Sequence, residues 1–331
     1  MSDVARLAGV SIKTVSNVVN DYPHISVGTR ERVLAAIAEL GYVPNSTARS
    51  LRSGRSGVIG LAVPELSLAY FAQLADEVIR AARAQNMVVL VEQTGGERER
   101  ELEVLRGPRL QLTDGLLFSP LGLGNGDAEV ARVPYPLVLL GERIFDPGID
   151  HVTMQNVEAA EAAVEHLLGL GRRRIVALGA HQGEVIGSAG LRLTGYRNAL
   201  ASAGIGVDEA LVVEEGLWHR RNGADAMRRL LATGVQFDAV FALNDELALG
   251  ALRVIQESGL RVPDDVAVIG FDDVDEGNYS IPSLSTVDPG RQEIAETAVD
   301  LLLTRIEGRA GPEKQQLRTG YRIVPRESTG V

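Results

Sequence analysis

The 331-residue chain has no cysteine, which excludes disulfides, thiolate nucleophiles and thiolate metal sites. It does not open with a basic stretch followed by an apolar run, the mark of a secretory signal. No run of about 18 apolar residues occurs, so a membrane span is not expected and a cytoplasmic location is. The five histidines, at 24, 151, 166, 181 and 219, show no metal-ligand spacing. The glycines of "GLGNG" (122–126) lack the GxGxxG spacing of a phosphate-binding turn, and no Ser-His-Asp set follows from spacing. Neither an enzyme nor a cofactor is expected.

Basic residues are also in short supply, 33 against 44 acidic, for a net charge of −11. The shortage is uneven. Residues 1–57 hold seven Lys or Arg and four Asp or Glu, whereas the rest holds 26 and 40. A small positive head on a large negative body suits a head that meets a polyanion, although chance fluctuation over 57 residues gives the same balance. The composition otherwise, 45% hydrophobic and 23% charged, is that of a globular protein long enough for two or three domains and a large core.

The head begins "DVARLAGVSIKTVSNVVN". Val4, Leu7 and Ala8 make one apolar face, with Ser2 or Asp3 available as a cap and Gly9 suited to the left-handed position after a helix. Ser11 then caps a second helix, in which Val15, Val18 and Val19 repeat the spacing. Two short amphipathic helices around a Gly-containing corner form a helix-turn-helix pattern, though a plain helical hairpin has the same signature. Neither helix is long enough to be stable alone. A third, "RERVLAAIAELG", with Val33, Ala36, Ile37 and Leu40 on one stripe, supplies the packing partner. The second helix then turns Ile12, Lys13, Thr14, Ser16 and Asn17 outward, a set suited to reading base edges in a major groove. Next, "YVPNSTARSLRSGRSG" places Asn45 as a cap before a short basic helix, Ser46 to Arg52. Arg49, Arg52 and Arg55 have no acid among them. Its one large apolar residue, Leu51, suits either a wedge between base steps in a minor groove or a staple against the bundle.

These segments closely resemble the DNA-binding headpiece and hinge of the lactose-repressor (LacI/GalR) family of bacterial transcription regulators. The resemblance runs through "DVARLAGVSIKTVSNVVN", "ISVGTRERVLAAIAELGYVPN" and "ARSLRSGRSGVIGLAVP". It implies that Ile12, Lys13 and Asn17 hold the main base-reading positions, that Leu51 is the hinge leucine that intercalates at the operator centre, and that Ala48 is its neighbour. The DNA-facing set is then Ser11, Ile12, Lys13, Thr14, Ser16, Asn17, Asn45, Ala48, Arg49, Leu51 and Arg52. Family members often carry Arg where Asn17 stands; Arg favours guanine and Asn adenine, so the half-site should differ there. They also usually have several residues more before the Asp-Val-Ala, including a Thr that caps the first helix.

From Val58 the texture changes. "VIGLAVP", "MVVLVEQ", "DGLLFSP" and "PLVLLGE" read as buried parallel strands, with "AYFAQLADEVIRAARAQN" and "ERERELEVLRGPRLQ" as helices between them. A second set follows. Its strands are "RIVALGA", "ALVVEEG", "AVFALND" and "VAVIGFDD", again separated by helices. The expected fold is a small all-α helix-turn-helix headpiece plus an α/β core of two doubly wound parallel-sheet subdomains, like periplasmic binding proteins. The headpiece takes residues 1–45, a hinge helix and linker 46–57, and an effector-binding and dimerisation core 58–331. Within the core one subdomain takes about 58–156 and 288–316, the other about 157–287 and 317–331.

Ligands of such sheets sit beyond the carboxyl ends of the strands. There the polar residues are Arg192, Asn244, Asp245, Asp272 and Asp273, with Tyr70, Phe71 and Trp218 to stack on an apolar ring face. That set suits a sugar or similar polyol, although each aspartate, Asp245 above all, also suits a helix cap or turn. The family resemblance continues through "NDELALGALR" and "GFDDVDEGNYSIPSLSTVDP". It implies effector contacts at Phe71, Arg192, Trp218, Asn244 and Asp272; position 155 is Gln where relatives often have Asp. The chain ends soon after its last strand without heptads, so no coiled-coil tetramerising tail is expected. The expected function is a transcriptional regulator, in most relatives a repressor. Its partners are a palindromic double-stranded operator, a second copy of the chain and a small effector, with no membrane. The alternative is a soluble sugar-binding receptor without DNA function.

Overall fold

The computed structural model describes residues 1–19, 22–42, 55–107 and 112–330. They fall into two compact units, Met1–Ser56 and Gly57–Val331. No helix among the described residues is long and apolar enough to cross a membrane.

The first unit holds α1 (Ser2–Ala8), α2 (Ile12–Val19) and α3 (Val27–Glu39). α1 stops at Gly9, whose φ of 63° is left-handed, a conformation glycine adopts without a Cβ penalty. Its N-cap is Met1, with no side-chain cap, so neither Ser2 nor Asp3 does that work. α2 is capped as expected, the Thr14 amide donating to Ser11 Oγ at 3.1 Å. The helices bury Val4, Ala5, Ala8, Val15, Val18, Val33 and Ala36 against one another. Leu7 and Leu40, expected on inner stripes, are each 46% exposed. The buried stripe of α1 is centred between Val4 and Ala5, which turns Leu7 outward, and Leu40 lies just past the last turn of α3.

The second unit contains two parallel sheets. The first has six strands in the order β11-β5-β4-β3-β1-β2. They are β1 (Val58–Val63), β2 (Val88–Gln93), β3 (Leu116–Phe118), β4 (Leu137–Leu140), β5 (Asp150–Met154) and β11 (Gln316–Thr319). The second sheet has the order β7-β6-β8-β9: β6 (Ile175–Ala180), β7 (Val212–Glu214), β8 (Ala239–Ala242) and β9 (Ala267–Ile269). A small antiparallel pair, β10 (Thr286–Asp288) with β12 (Arg322–Val324), completes the set. The first sheet is covered by α4 (Ala69–Ala84), α5 (Arg98–Arg106), α6 (Ala128–Ala131) and α11 (Arg291–Ile306); the second by α7 (Asn156–Gly169), α8 (Ser188–Ser202), α9 (Arg220–Thr233) and α10 (Asp245–Glu257). Strands β3, β4, β8 and β9 are buried along their whole length, which is why they read as apolar runs.

Strands β5, β10 and β11 did not look like strands. β5 is "DHVTM", fully buried despite three polar side chains. Asp150 explains it. Arg305 donates to both its oxygens, at 2.7 and 2.8 Å, and Lys314 (3.1 Å) and the Gln315 amide (2.9 Å) complete the shell. β11 pairs with β5 through Thr319, so the boundary expected at 316–317 falls inside this strand. The helix expected over 97–111 ends at Arg106. Gly107 is extended, with ψ 162°, as the residue before Pro108 must be; residues 108–111 lie outside those described.

The chain passes between the two sheets' lobes at Gln155, at Pro289–Gly290 and at Gly320, and these crossings are bonded together. Gln155 Nε2 donates to the Thr319 carbonyl at 3.0 Å, and Thr319 Oγ1 donates to the Pro289 carbonyl at 3.1 Å. Gly290 has φ 74°, and a Cβ there would stand 2.7 Å from the Gly320 carbonyl, so only glycine fits the hinge at that point.

Burial raises the Asp150 carboxyl, but its hydrogen bonds from Arg305, Gln315 and Lys314 outweigh that and hold it below the ordinary value of 3.8. Its contribution to stability is therefore complete above 3.8 and lost as pH falls through the lower folded value. Asp150→Ala strands Arg305 and Lys314, and should cost about 3 kcal/mol or more at neutral pH, read as a lower urea midpoint at unchanged m-value.

Candidate functional site

On the first unit, Ser11, Ile12 and Lys13 are exposed and Thr14 and Asn17 are half-buried. Ile12 is 55% exposed, costly for an isobutyl-sized side chain with no contact to make. Ser11 and Thr14 are engaged with each other, their hydroxyls 2.9 Å apart, so Lys13 carries the one cationic side chain of this face. Ser16 is a correction: it is only 6% exposed and sits with the buried residues of α2 rather than on the outward face, because it follows Val15 into the packed stripe. Asn45, Ala48, Arg49, Leu51 and Arg52 lie outside the described residues.

In the second unit, a cavity of about 220 Å³ lies beyond the carboxyl ends of β1, β4, β6 and β8, between the lobes. Phe71, Arg192, Trp218, Asn244 and Asp272 all line it, as does Tyr70. Arg192, on α8, is buried and held on every side. Its Nε donates to Asn156 Oδ1 at 2.8 Å, Nη1 to the Leu243 carbonyl, and Nη2 to Asp272 Oδ1 at 3.3 Å. The guanidinium lies 3.6 Å over the Phe271 ring and 5.5 Å from that of Trp218, favourable contacts for a desolvated cation. Trp218 Nε1 donates to the Gly179 carbonyl at 2.9 Å. Asn244 caps α10 by accepting from the Leu247 amide at 2.9 Å, and its Nδ2 donates to the Trp218 carbonyl at 3.2 Å.

Asp272 has a φ of 117°, a strained position for a non-glycine residue. The loop that imposes it is tied down from below. Asp245 accepts from the Thr286 hydroxyl at 2.6 Å and from the Val274 amide at 2.9 Å. Gly270 is required here because a Cβ would stand 2.1 Å from Asp245 Oδ1. Asp273 pairs with Arg326 at 2.6 Å. Neither Asp245 nor Asp273 lines the cavity; both support the loop, and the cap of α10 is Asn244 rather than Asp245. Gln155 is likewise spent on the hinge. Burial pushes the Asp272 carboxyl up to about 6, against the lowering charges of Arg192 and Arg291, with Glu142 adding to the rise. Burial, then Asp272, push the Asp245 carboxyl well above its ordinary range.

The cavity also holds residues that the sequence reading passed over. Glu142 is buried and accepts hydroxyls from Thr153 (2.8 Å) and, across the cleft, Ser188 (2.7 Å). No cation pairs with it among the described residues. Arg143 reaches Glu184 on the other lobe at 3.1 Å, and His181 Nδ1 meets the same oxygen at 2.8 Å. Burial would raise Glu184, but His181 and Arg143 outweigh it and hold the carboxyl below the usual range. Glu246 accepts from the Ala69 amide across the cleft at 3.4 Å and from Arg220. Glu142 was legible in principle, since it follows strand "PLVLL" at its carboxyl end. Arg143 Nε and His181 Nε2 are buried without a hydrogen-bond partner among the described residues, each a cost of about 1–3 kcal/mol. The cavity offers acceptors, aromatic faces and an arginine whose three nitrogens each already donate to a neighbour.

Residues 1–45 match the model for bacterial regulatory proteins of the lacI family, and residues 164–329 that for a periplasmic binding protein-like domain. The ribose operon repressor of Escherichia coli (strain K12) is 33% identical over 323 residues, covering 96% of this chain and 95% of that protein. The crystal structure of the lac repressor dimer bound to operator and the anti-inducer ONPF superposes with a TM-score of 0.84 at 34% identity, over 99% of this chain and 98% of that one. A complex of the transcriptional regulator CelR with cellobiose gives a TM-score of 0.73 at 32% identity, over 98% of each chain.

Because Asp272 holds its proton more tightly folded than unfolded, it stabilises below pH 3.8, and that stabilisation is lost as pH rises through about 6. Asp272→Asn should therefore gain on the native protein by about 3 kcal/mol between pH 3.8 and 6.5. Paired urea titrations across that window check it; a constant difference would show that the carboxyl titrates normally.

Proposed function

The chain belongs to the lacI family of bacterial regulatory proteins, and from that premise we propose that it is a sugar-responsive repressor of transcription. The observation that carries the reading is the union, in one chain, of a three-helix DNA-binding head with a cleft whose cavity offers aromatic faces and buried acceptors. A sugar-binding receptor without DNA function has no use for the head, and the match over residues 1–45 speaks against it.

The repressor acts in the cytoplasm as a homodimer on a palindromic operator. One head spans too few base pairs to select a site in a genome, and twofold pairing doubles the readout. α2 enters the major groove with Ile12, Lys13 and Asn17 toward the bases, Asn17 favouring adenine. Arg49 and Arg52, in the basic segment that Asn45 caps, meet the phosphates, and by family resemblance Leu51 wedges at the operator centre beside its neighbour Ala48. The effector is a carbohydrate, supported by the aromatic faces of Phe71 and Trp218, by the acceptors Asp272 and Asn244, and by ribose and cellobiose in the names of relatives. Its contacts to both lobes change their relative stability in the two DNA-binding states, a coupling of about 1–3 kcal/mol that is reciprocal.

Lys13→Ala should weaken binding to a palindromic fragment from the gene's own promoter by tenfold or more and flatten its salt dependence. Fluorescence anisotropy at two salt concentrations reads both. Unchanged affinity and slope would remove α2 from the interface. Asp272→Ala should leave that DNA affinity intact and abolish the response to sugar.

A further inference from the structure

The stretch "GGERERELEVLR" places Glu101 among charged neighbours on α5, a pattern that suits a solvated face. The structure buries it instead, at 0% exposed. Its carboxylate closes on three successive backbone amides of the segment that follows β3. Oε1 accepts from the Leu121 amide at 2.7 Å and the Gly122 amide at 3.0 Å, and Oε2 from the Leu123 amide at 2.7 Å. Among the described residues no cation pairs with Glu101, so these amides are what offsets its buried charge. The anion held at the start of the glycine-rich run is thus the chain's own carboxylate.

The anchored segment is a wall of the cavity. Ser119, Pro120 and Leu121 line it, and Glu101 does not. The segment is also pressed against the turn that follows β2. A Cβ on Gly122 would stand 2.5 Å from the Gly96 carbonyl and 2.6 Å from the Arg98 amide nitrogen, and one on Gly96 would stand 3.1 Å from Leu121 Cδ2. Gly95, in that same turn, is a lining residue as well. The two turns therefore hold one spacing, and the carboxylate behind them fixes it. We propose that Glu101 is a positioning residue for the effector: without touching the ligand, it holds residues 119–123 in place and so sets affinity and selectivity at this wall. This rests on the reading of the chain as a sugar-responsive repressor. Without the carboxylate the three amides lose their acceptor and turn to water. The backbone so released must be ordered again by each ligand that binds. Sugars of different shape lean on Pro120 and Leu121 to different extents, so their losses differ.

The test is calorimetric titration of the full chain with D-ribose, D-glucose, D-galactose, cellobiose and lactose, repeated for Glu101→Gln and Glu101→Ala. The tightest-binding sugar should lose about threefold in affinity in the glutamine variant, which keeps one acceptor oxygen, and about tenfold or more in the alanine variant. The ratio of affinities between the two best sugars should change about threefold or more, which general destabilisation does not produce. Hydrogen exchange at the Leu121, Gly122 and Leu123 amides should quicken about tenfold or more while that of β1 and β4 stays native. Operator affinity without sugar should stay within about twofold of native. If the alanine variant does not fold, Glu101→Gln carries the test, with operator binding as its folding check. Native sugar affinities in the variants would overturn the proposal. Equal losses for every sugar would make Glu101 a support of the fold alone and overturn it too; both results leave the sugar reading standing. No binding heat from the native chain with any of these sugars would remove the sugar reading, and the proposal with it.

Discussion

Arg192 carries its charge into an interior where an unpaired guanidinium would cost several kcal/mol. The cleft is organised around meeting that cost. Each of the three nitrogens of its fork donates, to Asn156 at the start of α7, to the Leu243 carbonyl beyond β8, and to Asp272 beyond β9. One side chain on α8 thereby fixes the geometry of three strand and helix ends at once. Asp272 is in turn placed by Asp245, by Gly270 and by Arg291, whose Nη1 donates to the Asp272 carbonyl at 2.8 Å from the other lobe. A ligand that accepts from or donates to this group meets atoms that have already lost their freedom, so little ordering entropy remains to oppose binding.

At the cleft the two lobes meet through polar contacts that include Ser188 to Glu142, Arg143 to Glu184, the Ala69 amide to Glu246 and His219 to Glu65. Each such contact exchanges protein for water partners at a net cost of only about 0.5–1.5 kcal/mol. The hinge has the opposite character. Its crossings are bonded to each other through Gln155, Thr319 and Pro289 and packed too closely for a Cβ at Gly290. A ligand that touches both lobes could bias their arrangement only by unequal contacts in the states concerned.

Much of this was legible from residue order. The paired apolar stripes of the head, its Gly9 corner and the Ser11 cap are local features, set by side chains three or four positions apart. Strands β1, β3, β4, β6, β8 and β9 announced themselves as apolar runs, and so did β2, although it is an edge strand with Val88 and Leu90 exposed. What stayed hidden was polar and long-range. "DHVTM" does not look like a buried strand until Arg305 and Lys314, some 150 residues later, are known to meet Asp150. Arg143 and Glu184 are ordinary surface residues in their own neighbourhoods and become cavity residues only because the lobes bring them together. The same holds for Asp245 and Asp272. Both follow a strand; one became a support and the other part of the cavity wall, and no pattern in either segment separates them.

Residue order by itself determined the elements whose stability is decided within a few turns: the helices, the apolar strands and the alternation that makes a doubly wound core. It also determined the kinship that links the head to DNA. Tertiary structure alone decided which charges are buried and with whom. Burying a charge is favourable only where a partner arrives from elsewhere in the chain, and the distance in sequence between Asp150 and Arg305, Arg192 and Asp272, or Arg143 and Glu184 carries no trace of the few ångströms that separate them once folded.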